Sequence, residues 1–138
     1  MQLILTLTVH LFFQTNTADT TIVFREISYS EIFEIAKKEN KPVFLYFHFI
    51  GCSGCLKMEQ TVFVNKQIQD FFNQNFICYS VNISKPDGKE TNKIYKVGGV
   101  PSFLFLDSDG NIIHRFVGIR TPDEFLQEAR NALELMKK

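Results

Sequence analysis

A chain of 138 residues has room for one domain with a single sizeable core. With 45% hydrophobic residues, 15 of them Phe, it is too apolar to remain disordered. Its 15 basic and 15 acidic residues cancel, which argues against a nucleic-acid groove or a polybasic membrane patch.

The chain opens with an apolar stretch from Leu3 to Phe13, too short to cross a bilayer and of a length that suits the core of an export signal. Ala18 would sit at the cut and the mature chain would begin near Asp19. Against a signal, no Lys or Arg precedes the run, Thr6, Thr8 and His10 interrupt it, and Asn16 is a poor residue two places before Ala18. The alternative is an extra N-terminal element packed on the domain. We therefore divide the chain into 1–18, a signal or extension, and 19–138, the domain. No other apolar stretch reaches the ~20 residues of a spanning helix, so the mature chain should carry no membrane span.

Residues 21–25 form a short β-prone run. A helix follows, because Ser28 and Glu31 make a capping box and Ile27 can staple to Ile32. Ile32, Ile35 and Ala36 give its apolar stripe; Lys37 and Lys38 suit its end, and Asn40 and Pro42 stop it. The nearly continuous apolar run 43–50 predicts a strand buried on both faces. Residues 56–63 read as helix, and Asn65 caps a second helical piece carrying Ile68, Phe71 and Phe72. Residues 76–83 are a strand, 85–89 a loop, and 90–97 a short helix ended by Gly98 and Gly99. Strands at 102–107 and 111–117 are joined by Asp-Ser-Asp-Gly, a hairpin signal. Thr121, Pro122 and Glu124 then start a helix whose Phe125, Leu126, Ala129 and Leu133 share one face to Met136. The order is β-α-β-α-β-α-β-β-α, an α/β chain with a mixed central sheet and helices on both faces.

Where the second strand ends, Cys52-Ser-Gly-Cys55 begins a helix. Two thiols at this spacing can form a disulfide, hold part of a metal site, or do neither. Three cysteines are too few for a disulfide-stapled scaffold; a redox pair and one buried thiol, Cys78, fit the count.

This element order, with "YFHFIGCSGCLKME", "VGGVPSFLFLDSDG" and "HRFVG", resembles the thioredoxin fold over roughly residues 20 to 137. The resemblance is closest to thioredoxin-like domains of bacterial envelope thiol–disulfide exchange systems. It implies a thiol–disulfide oxidoreductase for protein disulfides, with Cys52 and Cys55 as the catalytic pair and an upstream redox partner. The chemistry of the residues agrees. A thiol at a helix N-terminus sits among free N–H groups, which lower its pKa from a free value of about 8.5. Cys55, one turn on and more shielded, would attack the mixed disulfide. Gly51, Ser53 and Gly54 keep the tip small enough for a protein disulfide to approach.

The resemblance also implies a cis peptide before Pro101, with Val100 offering its backbone to a substrate strand. No cofactor beyond the dithiol and no metal is expected, and the domain should act as a monomer. It would reside in the periplasm or cell envelope if residues 1–18 are a signal, and otherwise in the cytoplasm. Two departures stand out. Thioredoxins bury an Asp where Tyr46 stands, and carry a Lys where Ser80 aligns. His48, two residues from Tyr46 on the same strand, is a candidate modulator together with Tyr46. His114 should face solvent. The competing readings are a thioredoxin-fold binding module with an incidental dithiol, and a metal site shared between two copies or completed by His48.

Overall fold

The computed structural model describes residues 21–138; the segment 1–18 lies outside them. Helix α1 (Tyr29–Glu39) begins at the Ser28–Glu31 capping box and ends on Asn40 in the left-handed conformation, φ 52°. Strand β1 (Val43–His48) follows and leads into α2 (Ser53–Thr61). Asn65 caps α3 (Lys66–Asn75) by accepting from the Ile68 N–H, as its position predicts. Then come β2 (Ile77–Asn82), α4 (Pro86–Tyr95), β3 (Ser102–Leu106), β4 (Ile112–Val117) and α5 (Pro122–Met136).

Among the described residues the strands form one mixed sheet in the order β2-β1-β3-β4. β1 runs parallel to β2 and antiparallel to β3, and β3 pairs antiparallel with β4. Side chains alternate across β1, so each face gets its own core. Phe44 and Tyr46 join Phe72, Phe103 and Phe105 beneath α2, α3 and α5. Val43, Leu45 and Phe47 pack with Ile32 and Ala36 of α1 and Tyr95 of α4. Phe72 stacks on Phe125 at 4.8 Å between ring centroids, tying α3 to α5. Each such fully buried ring contributes roughly 1.5–3 kcal/mol.

Two expectations need correction. The run 21–25 is not a strand of the sheet. It makes a single parallel bridge, Phe24 to Cys78, with the Arg25 N–H donating to the Cys78 carbonyl at 2.9 Å. The Asn73 side chain takes the neighbouring backbone instead: its Oδ1 accepts from the Val23 N–H and its Nδ2 donates to the Thr21 carbonyl. Residues 85–89 are not a loop either. Pro86 occupies the first turn of α4 and Asp87 follows it there, both favourable at a helix start. Gly88 lies inside that helix, and it is a glycine because its backbone lies on β2's end; a Cβ there would fall 1.9 Å from the Asn82 carbonyl oxygen. At the other end Lys96, φ 52°, takes the cap ahead of Gly98.

Candidate active site: a cysteine pair at the mouth of α2

β1 delivers the chain to Gly51, whose φ of +94° lets it turn sharply into α2. Cys52 is the N-cap of that helix, and its Sγ accepts from the Cys55 N–H at 3.1 Å. A helix N-terminus leaves such N–H groups without backbone partners, so the sulfur occupies the place where a capping oxygen usually sits. Cys52 and Cys55 are joined in a disulfide, their Cα atoms 5.2 Å apart. Cys52 retains 9% of its accessible surface and Cys55 2%, so the N-terminal sulfur is the outer one.

The Val100–Pro101 peptide is cis. Pro101 lies against the α2 tip: a Cβ on Gly54 would stand 3.1 Å from Pro101 Cδ and 3.6 Å from Ile119 Cγ1. The segment after β4 is fastened here through its backbone N–H groups. Gly118 donates to the Pro101 carbonyl at 2.9 Å, and the Arg120 N–H reaches Met58 Sδ at 3.3 Å.

Two hollows flank Cys52. One, about 460 Å³, separates the α2 tip from Val97–Val100, and no charged side chain lines it. The other, about 500 Å³, lies beside His48, Ile50, Cys55, Leu56 and Glu59. Ile50 is 87% exposed on its rim.

On β1, Tyr46 and His48 stack at 4.9 Å, as residues two apart on one strand face should. The Tyr46 hydroxyl donates to Glu59 Oε1 on α2 at 2.9 Å. Burial first, then that bond and the Glu59 charge, push the phenol far above its ordinary range. His48 Nε2 lies 2.7 Å from Ser80 Oγ on β2. Burial lowers the His48 pKa; the Glu59 carboxylate opposes that shift and Lys85 adds to it.

Cys78 is in the core, 1% exposed, and burial holds its thiol far above the ordinary thiol range. His114 does not simply face solvent. Its Nε2 lies 2.6 Å from Glu128 Oε2, and Arg120 Nε donates to the other oxygen of that carboxylate at 3.2 Å.

Residues 29–133 match the family described as thioredoxin-like domain. The chain belongs to the thioredoxin-like family. Its fold superposes with a TM-score of 0.74 on a putative disulphide-isomerase from Bacteroides thetaiotaomicron, 30% identical over 83% of this chain and 95% of that one. It is 28% identical to the thiol:disulfide interchange protein DsbD of Haemophilus influenzae over 80% of this chain. It is 40% identical to mouse spermatogenesis-associated protein 20 over 47% of this chain. The chain spans only 20% and 8% of the lengths of those two relatives. The close cysteine pair lies within the matched residues.

Within that family the carboxylate at the site is the residue sequence reasoning missed. Glu59 follows Cys55 by four on α2, which is legible. Its bond to Tyr46 is not, because it joins a helix to a strand. Ile119, against Gly54, is equally hidden, because it reaches α2 from the segment after β4.

Proposed function

We propose that this domain exchanges disulfides of protein substrates through Cys52-Ser53-Gly54-Cys55. Cys52 is the nucleophile and Cys55 the resolving thiol. The observation that carries this reading is the placement of Cys52: outer sulfur, N-cap of α2, accepting the Cys55 N–H, with Pro101 alongside. A helix N-terminus favours an anion, and the thiolate is the attacking species in exchange.

The Cys52 thiolate attacks one sulfur of the substrate disulfide and releases the other as a thiolate. Cys55 then attacks Cys52 Sγ and releases the second substrate thiolate. Two electrons pass to the substrate, and the Cys52–Cys55 disulfide forms. An upstream dithiol must reduce it again, and the reverse sequence oxidises a dithiol substrate. Gly51, Val100 and Pro101 form the surface that receives the substrate chain, with the Val100 backbone as the edge for an added strand. The uncharged hollow and exposed Ile50 support apolar residues beside the substrate disulfide. Tyr46 and His48 modulate the exchange. The dithiol is the sole redox group required, and the domain works as a monomer, in the cell envelope if residues 1–18 are an export signal.

Trapping tests the reading. Cys55→Ser should accumulate mixed disulfides on Cys52, whereas Cys52→Ser should trap none. Alkylation of Cys55 before Cys52 in the reduced protein would overturn the roles. Partner capture without reduction of any disulfide would favour a binding module. A titrated potential near −270 mV would assign a reductant and one near −120 mV an oxidant.

A further inference from the structure

Gly118, Ile119 and Arg120 are all that separates the end of β4 at Val117 from Thr121, the N-cap of α5. A connection this short lies outside both ladder and helix, so its backbone groups need other partners. Gly118, φ +93°, makes the turn and gives its N–H to the Pro101 carbonyl at 2.9 Å. The Arg120 N–H goes to Met58 Sδ of α2 at 3.3 Å, a weak acceptor. The carbonyls of Val117 and Ile119 are satisfied by the segment's own side chain: Arg120 Nη1 donates to them at 3.4 and 3.1 Å.

The guanidinium is in turn held by the elements on either side. Its Nε donates to Glu128 Oε1 of α5 at 3.2 Å, and the other oxygen of that carboxylate lies 2.6 Å from His114 Nε2 of β4. Its central carbon stands 4.7 Å from the centroid of the Phe116 ring, which stacks on Phe103 of β3. One side chain thus joins β4, α5 and the segment between them. This takes a planar fork of donors; an ammonium is a single point and cannot occupy the Nε and Nη1 places together. The segment held in this way borders the cysteine pair. Ile119 Cγ1 is 3.6 Å from where a Gly54 Cβ would stand, and Val117 Cγ1 is 3.9 Å from the same place on Gly99. Ile119 and Val117 are 46% and 51% exposed, so they present surface rather than core.

We propose that Arg120, anchored on Glu128, is a positioning residue that sets Val117–Ile119 against the α2 tip and Pro101 for the docking of a protein substrate. This rests on the exchange reading above. Arg120 acts through the segment and not on the sulfurs. Its bonds to two carbonyls fix the backbone, the backbone fixes Ile119 beside Gly54, and Gly118 holds the Pro101 carbonyl next to the Val100 edge. Without the fork that surface loosens, while Cys52 is still capped within its own helix. The fold draws little from the pair. Arg120 and Glu128 retain 27% and 20% of their side-chain surface, and an isolated, partly exposed ion pair adds little stability. Buried Phe116 and Phe125 hold β4 and α5 in place independently. Loss of Arg120 therefore falls on recognition more than on folding.

Two substrates separate recognition from thiol chemistry: insulin, which must lie across the site, and a small aromatic disulfide, which need reach only Cys52. Insulin reduction would be followed at steady state with dithiothreitol regenerating the dithiol, and the small disulfide in single turnovers of reduced protein. Arg120→Met should raise KM for insulin by on the order of tenfold with little change in kcat. That loss should exceed its loss on the small disulfide by a similar factor. Arg120→Lys keeps the charge without the fork and should recover only part. Glu128→Gln should fall between wild type and Arg120→Met, and the double variant should be no worse than Arg120→Met, because the two residues act as one unit. Each variant should melt within about 5 °C of wild type. An unchanged insulin KM in Arg120→Met would overturn the assignment, as would equal losses on both substrates or a fall in kcat alone. Should Arg120→Met not fold, a wild-type insulin KM in Glu128→Gln and Arg120→Lys would overturn it instead. Wild type that reduces the small disulfide and leaves insulin intact would overturn this assignment alone. No reaction of wild type with either would overturn the exchange reading, and this assignment with it.

Discussion

Cys52 sits where β1 meets α2, and Cys78 sits near the start of β2. Both belong to the same phenylalanine-rich core. At the α2 mouth the sulfur meets a backbone N–H at 3.1 Å and the positive end of a helix. In β2 the Cys78 Sγ faces carbonyl oxygens, of Phe72 and Phe76, each at 3.9 Å. Carbonyls can accept a hydrogen bond from a thiol but cannot stabilise a thiolate. The comparison teaches that the backbone groups pointed at a sulfur decide its chemistry; the side chain is identical in both places. It also explains why the site lies at the end of a buried strand. Only there does the chain leave the sheet and expose unpaired N–H groups next to solvent.

The sharpest way to break this comparison is to remove each sulfur in turn. Cys52→Ser should abolish exchange, while Cys78→Ala should exchange at the wild-type rate and lose about 1–2 kcal/mol of stability to the cavity. Alkylation of the native reduced protein, read by mass, should label Cys52 and spare Cys78 until the chain unfolds. Loss of exchange in a folded Cys78→Ala protein would show that the two regions are coupled.

Stability against pH sharpens it further. Burial raises the Cys78 pKa in the folded protein, whereas an unfolded chain titrates near the free value of about 8.5. Above that pH the unfolded state binds fewer protons than the folded one, so stability falls as pH rises. Below it the contribution is fully present. The slope should approach about 1.4 kcal/mol per pH unit, and between pH 9 and 10 Cys78 should dominate it before the buried tyrosines contribute. Denaturant unfolding across pH 7 to 10 would measure it. An equal slope in Cys78→Ala would assign the effect elsewhere.

The same contrast between local and long-range contacts governs how much of the molecule its sequence discloses. The caps at Ser28, Asn65 and Thr121 are legible because each bonds within three residues of itself. The cysteine pair and its place at a helix start are legible for the same reason. Residues 85–89 mislead: Pro-Asp-Gly is good turn chemistry, and only the Asn82 backbone, packed against Gly88, reveals why a glycine stands inside the helix. Residues 21–25 mislead because Asn73, far along the chain, takes the backbone groups a strand would use. Glu59 remains an ordinary helix-surface carboxylate until β1 brings Tyr46 to it.

The smallest expected effect concerns His48, which lies on the same strand as Tyr46 and stacks on it. Burial lowers its pKa, so the folded protein resists protonating a ring that an unfolded chain would protonate below about 6.5. Stability from this group is therefore present above that pH and lost as pH falls below it. His48→Phe keeps an aromatic ring in the stack and removes the charge, so its acid-side loss of stability should be shallower than wild type. Denaturant unfolding of both proteins from pH 5 to 8 would measure the difference, and parallel curves would leave His48 as packing between Tyr46 and Ser80.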